Sequence, residues 1–319
     1  VHRSWLEGFV GRHIQRQDPA NHQGVSTGII QLDKILEGGL HAGEVGLWLA
    51  YPKAGKTTFL VNLGLTAVRT QFRKVLHCVL EGNLHYVENR YDTVLSDELY
   101  SNTKRGEVDA KKYAKAVQEV QFLKGLCVLR DFTEGWETNA THIDGELTDL
   151  RKRYGFEPEL IVVDYVDLMR ARTPQDNETQ HQKQAMMDLK TLAQKRNGYA
   201  VWSACQAQRP KDDGYKLSPE LLTSSKMADA YAKVRLADFI GSINQTDQER
   251  AQGMMRLYAE LYRDGKADEV IYVAMDFSKM QFGKSFQPLS VPGAAPAPVQ
   301  KPFSYKQAQQ TQAKKNGTH

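Results

Sequence analysis

The stretch VGLWLAYPKAGKTTFL, residues 45–60, decides the fold class of this chain. Residues 45–49 form an apolar run long enough for a buried strand, and apolar side chains recur at helical spacing from residue 59 onward. Between them lies AYPKAGKTT, residues 50–58. A strand, a short loop and a helix in this order predict a phosphate-binding loop, because the first N–H groups of the helix and its positive dipole end face a bound anion.

The loop residues match the chemistry that phosphate binding requires. Gly55 lets the backbone approach the phosphates, the Lys56 ammonium can reach the outer phosphates, and the Thr57 hydroxyl can ligate magnesium. Ala50 replaces the first glycine of the pattern G-x-x-x-x-G-K-[ST], so a basic turn with an incidental Gly-Lys-Thr is the alternative. The predicted nucleotide contacts are Ala50, Pro52, Lys53, Ala54, Gly55, Lys56, Thr57 and Thr58.

The composition is that of an ordinary globular protein, with 25% charged and 41% hydrophobic residues. The net charge of +4 is accounted for by the lysines of residues 291–319, a tail without acidic residues, so a nucleic-acid site in the body requires a local basic patch. The three cysteines lack metal-ligand spacing, which favours core packing in a reducing compartment. Since no long apolar stretch and no signal peptide is present, we expect a soluble, cytoplasmic protein without membrane contact.

Eight apolar segments predict strands, and helical runs separate the early ones. Several are apolar on both faces, as buried parallel strands are. The last two are joined by Asp264-Gly265, a hairpin signal. We therefore predict an α/β phosphate-loop core whose mostly parallel sheet has an antiparallel hairpin at its edge and helices on its flanks. The segments are residues 45–49, 75–80, 126–129, 160–163, 200–204, 239–243, 257–261 and 270–275.

Two terminal segments flank the predicted core of residues 25–286. Residues 1–24 form an arm in which residues 4–17 have the apolar spacing of an amphipathic helix. This helix either packs on its own domain or docks on a neighbouring subunit. Residues 287–319 are rich in Pro, Ala, Gln and Lys and are predicted to be a disordered tail.

Three polar residues follow strands that end at the same edge of the predicted sheet, where ligands bind. Asp164 ends the strand ELIVVD, the place where a nucleoside triphosphatase holds magnesium. Glu81 follows the strand of residues 75–80 and is placed to activate water. Gln206 follows another strand and can sense a γ-phosphate. Capping and solvated-loop roles are the alternatives for these residues.

A basic loop over residues 209–228 is a candidate contact for single-stranded nucleic acid. Lysines mixed with Ser, Gly and Tyr suit phosphate contacts along one strand, and a solvated loop is the alternative. Its basic residues are Arg209, Lys211, Lys216 and Lys226.

Over about residues 25–283 the ordered motifs resemble the RecA-like motor domain of DnaB-type replicative helicases. The segments TGIIQLDKILEGGLHAGE, AYPKAGKTTF, LEGN, VVDYVDLM, SACQAQR, RLADFIGSI and LYRDG each resemble a segment of that family, in the same order. The resemblance implies ATP and Mg²⁺ as cofactors, with ATP at the subunit interfaces of a hexameric ring and single-stranded DNA in its pore. It implies Glu81 as catalytic base and Arg263 as the finger inserted into the neighbour's site. It also favours the DNA-binding interpretation of the basic loop, and adds the loop of residues 170–177 with Arg172.

The chain departs from the family pattern at two positions: Leu261 replaces a lysine two residues before the finger, and Asp167 replaces a glutamine. The family's N-terminal helical domain is missing from the sequence, so we expect a phage or mobile-element protein, located then in the host cytoplasm, or a chain that follows a primase region. A primase or a helicase loader is the expected further partner. A RadA-like recombination ATPase, a KaiC-like regulatory ATPase, and a loader or scaffold that binds ATP without turnover are the alternatives.

Overall fold

A computed structural model of the chain describes residues 24–133, 138–173, 175–207, 220–226 and 230–286. The predicted helix over residues 4–17, the tail after residue 286 and the loop residues Arg209, Lys211 and Lys216 lie outside the described residues. The division into arm, core and tail stays a prediction. Within the described ranges, no helix is long and apolar enough to span a bilayer.

The described residues contain one sheet of nine strands. In chain order these are β1 (Val45–Ala50), β2 (Val75–Val79), β3 (Cys127–Asp131), β4 (Leu160–Asp164), β5 (Ala200–Gln206), β6 (Phe239–Asn244), β7 (Met254–Tyr262), β8 (Glu269–Asp276) and β9 (Gln281–Phe286). Their order across the sheet is β3-β2-β4-β5-β1-β6-β7-β8-β9. In this order across the sheet, neighbouring strands pair in parallel from β3 through β1 to β6, and antiparallel from β6 to β9. This pairing confirms the predicted fold class.

The position of the predicted hairpin differs from expectation in one respect. β7 and β8 form the hairpin, but β9 pairs with the outer side of β8, so the hairpin is not the edge of the sheet. The sequence of β9, QFGKSF, contains a glycine and lacks β-branched residues. It therefore does not have the pattern that predicts a strand. Tertiary contact supports it instead: the Phe282 ring packs against Phe59, with the ring centroids 4.8 Å apart.

Helices cover the sheet, and β1 is buried on both faces. Trp48 and Ala50 pack into one apolar cluster, while Val45, Leu47 and Leu49 pack into the cluster on the opposite face. The described helices are α1 (Ile30–Ile35), α2 (Lys56–Gln71), α3 (Leu84–Ser96), α4 (Tyr100–Arg105), α5 (Ala110–Phe122), α6 (Ala140–Tyr154), α7 (Glu178–Ala193), α8 (Ala230–Leu236) and α9 (Asp247–Ala251). Such double-sided burial explains why the central parallel strands are continuous apolar runs.

Candidate nucleotide-binding site

The loop between β1 and α2 has the backbone form that an anion requires. Lys53 and Gly55 have φ angles of 64° and 92°, in the left-handed region. Helix α2 begins at Lys56 without a side-chain cap from the preceding residue. Its first-turn N–H groups therefore point out of the helix end at the carboxyl edge of the sheet, where they can donate to phosphate oxygens.

The Lys56 side chain lies in a cleft among carboxylates. It is 8% exposed, and its Nζ lies 5.1 Å from the centroid of the Tyr165 ring. Burial lowers the pKa of the Lys56 ammonium, and the negative charges of Glu81 and Asp164 act in the opposite direction. The ammonium is thus held at the mouth of the loop, close to the two acids that the sequence predicted to converge with it.

Asp164, the last residue of β4, is suited to a cation. It is 1% exposed, and neither carboxylate oxygen has a hydrogen-bond partner among the described residues. Burial raises the pKa of the Asp164 carboxyl to about 6, while the neighbouring Thr57 hydroxyl acts in the opposite direction. A buried, unpartnered carboxylate beside a hydroxyl offers the oxygen ligands that Mg²⁺ prefers, so the residues fit the predicted metal.

Glu81 and Gln206 lie at the same edge with different surroundings. The Glu81 side chain is exposed just beyond β2, and its charge raises the pKa of the Asp164 carboxyl. The Gln206 side chain is also exposed, at the end of β5, opposite Ala50 in the parallel register. Both side chains are therefore free to turn toward a ligand in the cleft.

Two of the predicted nucleotide contacts have side chains directed elsewhere. Ala50 is buried in the core, and its carbonyl accepts a hydrogen bond of 3.0 Å from the Ala207 N–H. The Thr58 hydroxyl donates to Met280 Sδ at 3.6 Å. The Ala50 methyl group and the Thr58 hydroxyl are therefore not available to a phosphate.

Two stacked side chains, Arg250 and Phe277, lie beside the phosphate loop, and no sequence pattern predicts that they do. The Arg250 guanidinium lies 4.7 Å from the centroid of the Phe277 ring. That ring is 3.4 Å from the position that a Cβ on Gly55 would occupy, and Arg250 lines a cleft with Tyr51 and Ala54. Because α9 and the end of β8 are distant from the loop along the chain, only the sheet order reveals this surface, which can stack a planar base.

Arg263 lies at the edge of the sheet opposite Lys56. Tyr262 at the end of antiparallel β7 pairs with Phe239 at the start of β6, whereas the phosphate loop follows the end of β1, which runs parallel to β6. Arg263 is therefore separated from its own loop by the length of the strands.

The Arg263 side chain is anchored but accessible. Its Nη2 donates to the carbonyls of Arg235 and Ala237 at 2.9 and 3.2 Å, and its Nε lies 3.5 Å from Asp238 Oδ1. The side chain is still 47% exposed. Leu261, where the family has lysine, packs partly buried against the apolar core, so it supplies no second cation at this edge.

The described part of the predicted DNA-binding set comprises Arg172 and Lys226. Both side chains are exposed, Arg172 beyond β4 and Lys226 in the short helix Ser224–Lys226. The Arg172 backbone N–H donates to Asp188 Oδ2 at 3.1 Å, which ties the loop after β4 to α7.

Two relatives are similar in sequence to more than half of this chain. The chain is 22% identical over 258 residues to the DnaB-like replicative helicase of Enterobacteria phage T4, which covers 78% of this chain and 51% of that protein. It is 23% identical over 184 residues to the replicative DNA helicase DnaB of Rickettsia conorii, covering 54% of this chain and 36% of that protein. The chain thus spans about half or less of the length of these relatives.

Solved structures show the same fold. A solved ATPase domain superimposes with a TM-score of 0.74 at 18% identity, covering 89% of this chain and 99% of that domain. A DnaB-like replicative helicase studied with its primase interactions gives a TM-score of 0.71 at 18% identity, covering 89% of this chain and 67% of that one. The family model for the DnaB-like helicase C terminal domain matches residues 24–275. The predicted resemblance is confirmed, and the chain belongs to the DnaB-like helicase family.

Proposed function

We propose that this chain is the ATP-hydrolysing motor of a replicative DNA helicase that forms a hexameric ring on single-stranded DNA. The observation that carries the proposal is the division of charges between two edges of one sheet. Lys56, Glu81 and Asp164 gather at the carboxyl edge, while Arg263 stands exposed at the opposite edge. This arrangement suits an ATP site that is completed by the next subunit.

The proposed chemistry assigns one task to each group. Lys56 binds the β- and γ-phosphates, and Thr57 with Asp164 would hold Mg²⁺, which when bound neutralises phosphate charge. Glu81 takes a proton from the water that attacks the γ-phosphorus, so that the bond to the ADP oxygen breaks and inorganic phosphate forms. Gln206 contacts the γ-phosphate and responds to its loss.

The Arg250–Phe277 surface is proposed to bind the adenine base. We expect Arg250→Ala to raise the dissociation constant of a fluorescent ATP analogue by about tenfold, since a stacked cation contributes about 1–2 kcal/mol when desolvated. The matched control is Arg153→Ala, because Arg153 pairs with Asp149 on the surface of α6. Unchanged affinity in Arg250→Ala would show that the base binds outside this cleft.

A ring is further supported by an apolar surface on α5. Tyr113, Val117 and Val120 are exposed and follow one face of that helix, whose one buried residue is Ala116. The apolar spacing of residues 4–17 makes this segment of a neighbouring copy the proposed occupant. A primase or a helicase loader is a further proposed partner, and the cytoplasm, of the host for a phage protein, is the proposed location.

The basic loop is proposed to contact DNA phosphates. We expect combined alanine substitution of Lys211, Lys216 and Lys226 to weaken binding without changing sequence preference. The slope of log affinity against log salt should fall by about 2, because each single-strand phosphate contact contributes about 0.7. The same titration on a chain ending at Pro288 tests the tail lysines as the rival site. An unchanged slope in the triple variant would place DNA elsewhere.

Strand displacement with ATP tests the proposed function as a whole. A helicase unwinds a forked duplex and its ATP turnover rises with single-stranded DNA. Turnover without unwinding would favour a RadA-like or KaiC-like ATPase, and nucleotide binding without turnover would favour a loader or scaffold. Family membership favours neither alternative.

A further inference from the structure

Asp167 joins two elements at the nucleotide edge. It lies in the short helix Val166–Leu168, directly after β4. Its Oδ2 accepts a hydrogen bond of 2.7 Å from the Gln206 backbone N–H, and its Oδ1 forms an ion pair with Lys233 Nζ. The negative charge of Asp167 also acts on Lys56. The residue that departs from the family pattern therefore fixes the backbone of the proposed γ-phosphate sensor.

The partner of Asp167 is a buried cation on α8. Lys233 is 1% exposed and is one of the largest fully buried side chains, whereas the Asp167 side chain is 18% exposed. Burying a lysine is unfavourable unless a charge partner is held in place. Asp167 is held from the other side, because Gln182 Nε2 donates to its carbonyl at 2.8 Å. The ion pair thus connects the end of β5 rigidly to α8.

The same helix holds Arg263. The Ala237 N–H donates to the Lys233 carbonyl at 2.9 Å, so Ala237 directly follows the last turn of α8, which contains Lys233 and Arg235. Arg263 Nη2 donates to the carbonyl of Arg235 in that turn and to the carbonyl of Ala237 just beyond it. The end of α8 therefore makes two contacts. Lys233 pairs with Asp167 at the nucleotide edge, and the backbone carbonyls bind the Arg263 guanidinium at the opposite edge.

We propose that Asp167 and Lys233 are positioning residues that couple the ATP site of one subunit to the arginine that this subunit presents to the next. When the γ-phosphate is lost, Gln206 is displaced, and this movement displaces Asp167 and the Lys233 side chain that is paired with it. The end of α8 then moves, and Arg263, which is bonded to it, changes position. The inference rests on the proposed function, in which Gln206 meets the γ-phosphate and Arg263 acts in trans.

The first test separates binding from turnover. Lys233→Met keeps the apolar stem and removes the charge, and we expect kcat for ATP hydrolysis to fall at least tenfold. The dissociation constant of a non-hydrolysable ATP analogue should stay within about twofold, and Lys233→Arg should recover most of the kcat. The matched control is Lys195→Met, since Lys195 makes an exposed ion pair of 2.7 Å with Asp144 of α6. Normal kcat in Lys233→Met would overturn the proposal.

The second test asks whether the presented arginine is affected. Rings mixed from Arg263→Ala and Lys56→Ala subunits combine an intact site with an intact arginine and should recover turnover. In rings of Arg263→Ala and Lys233→Met subunits, recovery should be at least tenfold lower, because the second subunit presents a displaced Arg263. Equal recovery in both mixtures would overturn the coupling.

Two further variants keep the result interpretable. Should Lys233→Met not fold, Asp167→Asn carries both tests with the same expected results, because its amide oxygen still accepts from Gln206 while the ion pair is lost. Lys56→Ala alone distinguishes a failure of the proposed ATP site from a failure of the proposed coupling. Turnover in that variant would refute the proposed ATP site itself. Normal turnover in Lys233→Met beside an inactive Lys56→Ala would refute only the coupling.

Discussion

Arg263→Ala should lower ATP turnover by about 10³- to 10⁵-fold, the range for an arginine finger in related phosphate-loop enzymes. The side chain is half-exposed at the edge opposite its own Lys56, so a catalytic role would have to be at the site of a neighbour. The effect should appear in kcat, because an arginine finger stabilises charge on the transferred phosphoryl group. Binding of an ATP analogue to the variant should change little. The alternative is a solvated turn arginine without a catalytic role.

Mixing two inactive variants distinguishes these roles. Lys56→Ala subunits should lack turnover, because the cation proposed to bind the outer phosphates is gone, yet they still offer Arg263. Arg263→Ala subunits keep an intact pocket. Mixed rings should regain part of the activity at interfaces that combine a good pocket with a good arginine. Normal turnover in Arg263→Ala alone, or no recovery in rings that assemble, would contradict the role in trans.

Glu81→Gln should bind ATP normally and hydrolyse it about 10²- to 10⁴-fold more slowly, the usual contribution of a positioned proton acceptor. The amide keeps the shape of the side chain and cannot accept the proton of the attacking water. Single-turnover hydrolysis measured beside analogue binding isolates the chemical step.

Glu88→Gln is the matched control for this prediction. Glu88 is a half-exposed acid on α3 that pairs with His85, so its loss should leave turnover within about twofold. If Glu81→Gln loses less than about tenfold, the decrease lies below the range of general-base catalysis and the base must be sought elsewhere.

The sequence by itself determined the core of the fold and which charged side chains lie together at the carboxyl edge of the sheet. The strand at residues 45–49 is recognisable because burial on both faces requires continuous apolar residues. Lys56, Asp164 and Glu81 are recognisable because each follows a strand, and parallel strands end at one edge. These inferences need only local pattern and chain direction. The basic loop and the terminal segments were equally visible as patterns and stay predictions.

Only the tertiary structure decided the features that depend on contact between distant segments. The segment QFGKSF forms β9 because Phe282 packs against Phe59, and no local sequence pattern predicts this contact. Arg250 and Phe277 face the phosphate loop because β6, β7 and β8 follow β1 across the sheet. Lys233 and Asp167 meet because α8 buries a cation over the end of β5. Pairing in the sheet and side-chain direction are set by packing of the whole core, and so the structure alone fixes these partners.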